Sequence, residues 1–196
     1  MTRAASGPAH GAPGHVHDEA CAAAHGDVVP PADERRLVLV FASPVAHECA
    51  ALAARLSWPV TVVDPDPERL SKVTPAARTA DDVAQAELDA GCDVVVCDHE
   101  RPELGDLLTA VLAQQTRWVG VMGSLRHTAP HVSALRERGV AEADIARVHR
   151  PIGLDIGSHT PPEIAVATVA GLLADRTGRP GGPFRSTSPS ADPSET

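Results

Sequence analysis

The sequence predicts an α/β fold: a Rossmann-like, open and mainly parallel sheet with helices on both faces. Two observations carry that expectation. Short apolar runs at residues 37–41, 60–63, 94–97 and 118–122 alternate with stretches whose apolar residues recur at helical spacing, the signature of a parallel sheet covered by helices. A chain of 196 residues with 43% apolar content can bury one core of ordinary size but not two. Residues 1–33, rich in Ala, Gly, Pro and His, and residues 178–196, dominated by Gly, Pro and Ser, lack hydrophobic periodicity. They are expected to be disordered tails flanking a single domain at 34–177.

The elements follow in order. After the first strand, at 37–41, a helix places Cys49, Leu52, Ala53 and Leu56 on one buried stripe. The second strand, 60–63, is stopped by Asp64-Pro65-Asp66-Pro67. A polar connection leads to the strand at 94–97, then to a helix over 104–114 and a buried strand at 118–122. The exit Gly120-Val-Met-Gly123-Ser124 precedes a helical stretch through Arg138, and 142–148 reads as one more short helix. Next, Ile152, Leu154 and Ile156 alternate with Gly153, Asp155 and Gly157, which predicts a short strand with one packed and one bare face. Thr160, Pro161 and Glu163 form a capping-box helix start. The closing helix carries Val166, Val169, Ala170 and Leu173 on one face. No internal repeat is present.

Charge and composition exclude several functions. A net charge of -9 without a run of basic residues argues against nucleic acid or a membrane surface as partner. No stretch approaches the roughly 20 apolar residues of a membrane span, and the first residues lack the apolar run of a signal peptide. A cytoplasmic protein is expected. Cys21, Cys49, Cys92 and Cys97 form no C-x-x-C pair, so reduced thiols are the default. Cys92 and Cys97 are five apart around an extended segment, which sends their side chains to opposite faces. Cys49 reads as a small core residue.

Candidate site residues gather at the carboxyl ends of the predicted strands, where open parallel sheets bind ligands. The tract at 153–160 supplies Gly153, Asp155, Gly157, Ser158 and Thr160. Its glycines permit close approach, and the following helix start offers free amides to an anion or a partner's backbone. Gly123 and Ser124 open a helix after a buried strand; they are either an anion seat, with Arg126 to balance the charge, or a plain N-cap. Asp64 stands about twenty residues after the first turn, either as a ribose-binding acid or as a turn residue before Pro65. Asp98 and His99 end a strand at the same edge as a proton-transfer or metal-binding pair, or as a solvated loop pair. His127 and His131, four apart, would share a helical face. In the tail, His17, Cys21 and His25, with His10 and His15 before them, would align borderline ligands for zinc, nickel or copper along one side of a helix.

These residues resemble the carboxy-terminal Rossmann-like domain of the XdhC/CoxI family of xanthine dehydrogenase accessory proteins. The matching positions are Val60-Thr-Val-Val-Asp64-Pro, Asp93-Val-Val-Val with Asp98-His99, Gly120-Val-Met-Gly-Ser124, and Pro151-Ile-Gly-Leu-Asp-Ile-Gly157 through Thr160-Pro-x-Glu-Ile-Ala165. The resemblance covers residues 35–175. It implies a non-catalytic role in maturing a molybdenum hydroxylase, with the molybdenum cofactor as ligand and a hydroxylase subunit or a cofactor-synthesis protein as partner. The ligand surface it implies comprises Ser43, Asp64, Gly120, Gly123, Ser124, Arg126, Gly153, Asp155, Gly157, Ser158 and Thr160. The cysteine-bearing domain that usually precedes this one in the family has no counterpart in residues 1–33.

The first strand-to-helix turn departs from the dinucleotide fingerprint. It reads Phe41-Ala-Ser-Pro-Val-Ala-His47, in which Ala42, Ser43 and Ala46 carry a Cβ and Pro44 lacks an amide donor. That weighs against NAD(P). Two other readings stay open: a nicotinamide-dependent oxidoreductase, and a metal-handling protein that works through the histidine-rich tail and dimerises through its folded domain.

Overall fold

The computed structural model describes residues 35–123 and 129–183. Its strands are β1 (Arg36–Val40), β2 (Val60–Val63), β3 (Arg78–Ala80), β4 (Cys92–Val96), β5 (Trp118–Val121) and β6 (Val148–His149). Its helices are α1 (Pro44–Arg55), α2 (Pro67–Leu70), α3 (Leu104–Leu112), α4 (Pro130–Glu137), α5 (Glu142–Ile145) and α6 (Pro161–Thr177), with a 3-10 turn at Val83–Ala86. The six strands run parallel in the order β3-β2-β1-β4-β5-β6. This is the doubly wound Rossmann order, whose direction reverses between β1 and β4.

The strands form because β-branched residues with two buried faces suit a covered parallel sheet. Val38, Val40, Val94, Val96 and Val121 point to a layer closed by Leu104, Leu108 and Val111 of α3 and Leu135 of α4. Leu37, Leu39, Val62 and Val95 point to the other layer, where Ala46, Cys49, Ala50 and Ala53 of α1 meet Ala165, Val169 and Leu172 of α6. Cys92 belongs to the first layer and Cys97 to the second, as their odd spacing requires.

Five local expectations are corrected. The tract at 152–157 is not a strand: Gly153 (φ 85°) and Gly157 (φ 71°) turn the chain into a loop, and pairing stops at His149. Residues 142–148 divide into α5 and β6. The polar connection after β2 contains β3, an edge strand with two exposed residues and too little apolar pattern to announce itself. On α1 the buried stripe runs through Ala46, Cys49, Ala50 and Ala53, leaving Leu56 43% exposed. On α6, Ala165, Val169 and Leu172 are buried, whereas Val166 and Leu173 lie 48% and 37% exposed. Both helices are so rich in alanine that close packing between them, not the largest side chains, selects the face.

At the amino edge, buried Asp93 is clamped by two arginines. Arg117 Nε donates to one carboxylate oxygen at 2.5 Å and Arg176 Nε to the other at 3.1 Å. Arg117 also reaches Asp175 at 2.7 Å, and Arg176 reaches the Gly91 carbonyl at 2.7 Å. The clamp ties the starts of β4 and β5 to the last turn of α6.

Candidate functional site

The first turn shows how the site edge is built. Ser43 caps α1, its hydroxyl accepting from the Ala46 amide at 3.2 Å and donating to the Cys97 carbonyl at 3.4 Å, so it bridges the ends of β1 and β4. Phe41 takes a left-handed φ of 71° where the fingerprint would use glycine, and its ring is fully buried.

Asp64 is fully buried at the end of β2, and both of its oxygens are engaged. One accepts from the Ala42 amide at 2.9 Å and the other from the Asp66 amide at 2.9 Å. Arg101 lies 3.5 Å from the second oxygen, pairs with Glu103 at 3.0 Å, and holds its guanidinium 5.0 Å from the Phe41 ring centroid. The position of a Rossmann ribose acid is therefore filled by bonds internal to the protein.

Beyond the reversal point between β1 and β4, a cavity of about 420 Å³ opens at the carboxyl edge. Its wall comprises Val45 of α1, Cys97 and His99 after β4, Met122 and Gly123 after β5, Ile152 and Ser158 of the loop, and Ile164 and Thr168 of α6. Burial, with Cys49 and Asp98 nearby, pushes the Cys97 thiol well above its usual range. Cys49 is pushed up to about 12, chiefly by burial and then by Glu48. Both thiols are protonated, inert groups at neutral pH. A second cleft of about 390 Å³, lined by Arg101, Pro102 and Pro130 among others, shares His99 with the first.

The structure disperses the predicted ligand surface. Gly123 and Ser158 meet in the cavity wall, with Ser43 close by in the cap beside Val45. Gly120 lies within β5, against Trp118 and Ile152. Gly153 packs on the α6 backbone: a Cβ there would lie 3.0 Å from the Ala167 carbonyl carbon, and the Leu154 amide donates to the Ala167 oxygen at 3.0 Å. Asp155 and Gly157 face solvent, and exposed Thr160 serves as the α6 N-cap. The cap's amides are already used, since the Glu163 carboxylate accepts from His159 at 2.8 Å and Thr160 at 2.9 Å. Those bonds hold the Glu163 carboxyl below its usual range. Ser124, Arg126 and His127, like His10, His15, His17, Cys21 and His25, lie outside the described residues, as do 1–34 and 184–196.

Sequence reasoning missed Cys97 and Thr168 as residues of the cavity wall. Thr168, a buried polar residue in an apolar helix, was the available signal for one of them. Asp98 turns back to accept from the Glu100 amide at 3.0 Å, leaving His99 alone in the wall. Among the described residues no cluster of three or more His, Cys, Asp or Glu could hold a metal ion, and no helix is long and apolar enough to cross a membrane.

Comparison with known proteins agrees with this architecture. The family model of the XdhC Rossmann domain matches residues 37–172. An uncharacterized protein of Escherichia coli (strain K12), YqeB, is 34% identical over 153 residues, spanning 75% of this chain and 28% of that protein. A crystal structure from Bacillus halodurans, described as a xanthine dehydrogenase, superposes with a TM-score of 0.62 at 21% identity, covering 74% of this chain and 45% of that one. The chain thus spans less than half the length of either relative.

Proposed function

The chain belongs to the XdhC family through its Rossmann domain, and from that premise we propose that it is a non-catalytic accessory protein for maturation of a molybdenum hydroxylase of the xanthine dehydrogenase type. On this reading it receives a ligand related to the molybdenum cofactor, as cargo, and presents it to a hydroxylase subunit or cofactor-synthesis protein in the cytoplasm. The observation that carries the reading is the cavity at the reversal point of the sheet. Its volume of about 420 Å³ falls within the range of roughly 300–1,000 Å³ typical of small-molecule sites. Val45, Met122, Ile152 and Ile164 offer apolar walls to a planar ring system, and His99, Ser158 and Thr168 offer polar groups that would orient it.

A dinucleotide fits less well. Its adenosine half would need the Asp64 carboxylate, which is engaged by two backbone amides and covered by Arg101. The inert thiols of Cys49 and Cys97 accord with holding rather than with covalent chemistry. Exposed Ile156, Val166 and Leu173 provide apolar surface for the partner or for a second copy of the chain. The test is genetic: deletion should abolish active molybdenum hydroxylase in the host, the wild-type gene should restore it, and Ser158→Trp, which fills the cavity, should not. Unchanged hydroxylase activity on deletion overturns the reading.

A further inference from the structure

We propose that the outer face of α6 is a two-fold interface, at which two copies of this chain pack their α6 helices antiparallel. The interface involves neither the cavity at the reversal point nor a ligand held there. Val166, Ala170, Leu173 and Thr177 follow one another at spacings of four, three and four residues, which sets them in one stripe along the helix. The core does not take that stripe. Ala165, Val169 and Leu172 face inward, whereas Val166, Leu173 and Thr177 are exposed and Ala170 is half-buried. One helix thus carries two apolar seams, and a single copy of the fold uses one of them.

Shape and charge identify what covers the second seam. Residues 179–183 fold back beside the carboxy-terminal half of α6: a Cβ on Gly181 would lie 2.6 Å from Leu154 Cδ2 and 3.3 Å from the Ala174 Cβ. With Ala170, Leu173 and Thr177 they enclose a groove of about 680 Å³. Val166, one turn before Ala170, projects outside that groove as a ridge. Ridge and groove therefore occupy opposite ends of the same helix, and a two-fold axis fills each groove with the other copy's ridge. In the antiparallel pair Val166 faces the partner's Thr177 and Leu173 faces the partner's Ala170, so large meets small in every layer. The same alignment sets Glu163 of the first turn beside the partner's Arg179. Both amide bonds to the Glu163 carboxylate fall on Oε2, so Oε1 accepts neither of them. Arg176 is committed to Asp93 and the Gly91 carbonyl, whereas Arg179 is exposed just past the helix end. A parallel pair would set like charges and like dipole ends together. A different protein would not require the two halves of this face to match each other.

The test is sedimentation of the full-length protein over a range of concentrations. Val166 to Thr177 spans about 17 Å of helix, so the interface is small and dissociation in the micromolar range is expected. Leu173→Asp should weaken dimerisation by about thirtyfold or more, because each substitution enters a two-fold interface twice and buries an unpaired charge each time. Arg179→Glu should weaken it by about three- to tenfold, and that loss should shrink in high salt. If Leu173→Asp alters the circular dichroism spectrum, Val166→Lys takes its place with the same expected loss. Disulfide trapping reads the register: Val166→Cys mixed with Thr177→Cys should cross-link above the wild-type background, and Val166→Cys alone should not. A wild type that stays monomeric up to about millimolar concentration would leave the face to a different protein and overturn the proposal. So would a folded Leu173→Asp variant that dimerises as wild type does, or cross-linking of Val166→Cys with itself. Hydroxylase activity enters none of these readouts, so a monomer removes this inference alone, and a dimer without a deletion phenotype removes the maturation role alone.

Discussion

Gly171 of α6 touches Gly153 of the preceding loop backbone to backbone: a methyl group built on Gly171 would lie 2.8 Å from the Gly153 Cα. The loop that carries Ile152 and Ser158 into the cavity wall is thus laid directly on the helix, and two glycines eighteen residues apart make the approach possible.

Gly171→Ala is therefore expected to destabilise the protein by about 1–3 kcal/mol, the usual cost of overpacking, although alanine is the better helix former. Urea unfolding measures it. A lower midpoint at unchanged slope is expected, whereas equal or higher stability would show that the loop yields without penalty.

The Asp93 clamp should behave as a buried ionic unit. Asp93 is 1% exposed at its side chain, and Arg117 and Arg176 are 24% and 16% exposed, so Asp93→Ala leaves two mostly buried guanidinium groups facing each other. The expected loss is about 3–5 kcal/mol. The single Arg117→Met and Arg176→Met changes should be non-additive in a double-mutant cycle. Additive effects, or a loss below about 1 kcal/mol for Asp93→Ala, would deny the clamp its role.

Stability should fall on the alkaline side. The unfolded chain releases a thiol proton near pH 8.5, whereas folded Cys49 holds its proton to about 12. The contribution is fully present below the unfolded value and is lost as pH rises toward the folded one. Comparing unfolding free energies of wild type and Cys49→Ala from pH 7 to 11 should show the steeper decline in wild type. At pH 8, iodoacetamide should leave Cys49 and Cys97 unmodified in the native protein and label both in urea; rapid native labelling would contradict their burial.

Reduced nicotinamide cofactors are expected not to bind at micromolar concentration in a fluorescence titration, because the Asp64 carboxylate is engaged within the protein. Asp64→Ala should lower stability by about 3 kcal/mol, since it frees the Ala42 and Asp66 amides and leaves Arg101 with Glu103 alone, rather than change any nucleotide affinity. Micromolar binding by wild type would reverse that conclusion.

Much of the fold was legible from local chemistry. The valine-rich runs around β1, β2, β4 and β5 declare buried parallel strands, and Ser43-Pro44 and Thr160-Pro-x-Glu163 declare the starts of α1 and α6. The candidate site was legible only in outline. Gly123 and Ser158, named from the sequence, both lie in the cavity wall. Cys97 and Thr168 enter the cavity wall through the way the strands are ordered, which no short pattern encodes.

By itself, the sequence determined the fold class and the capped start of α6, because backbone capping and strand burial are decided within a few residues. Only the tertiary structure decided that the glycine tract is a loop, that alanines rather than Val166 and Leu173 face the core, and that Asp64 is spent on its own turn. Those outcomes turn on contacts between segments far apart in the chain, where the close fit of one backbone or carboxylate against another outweighs local preference.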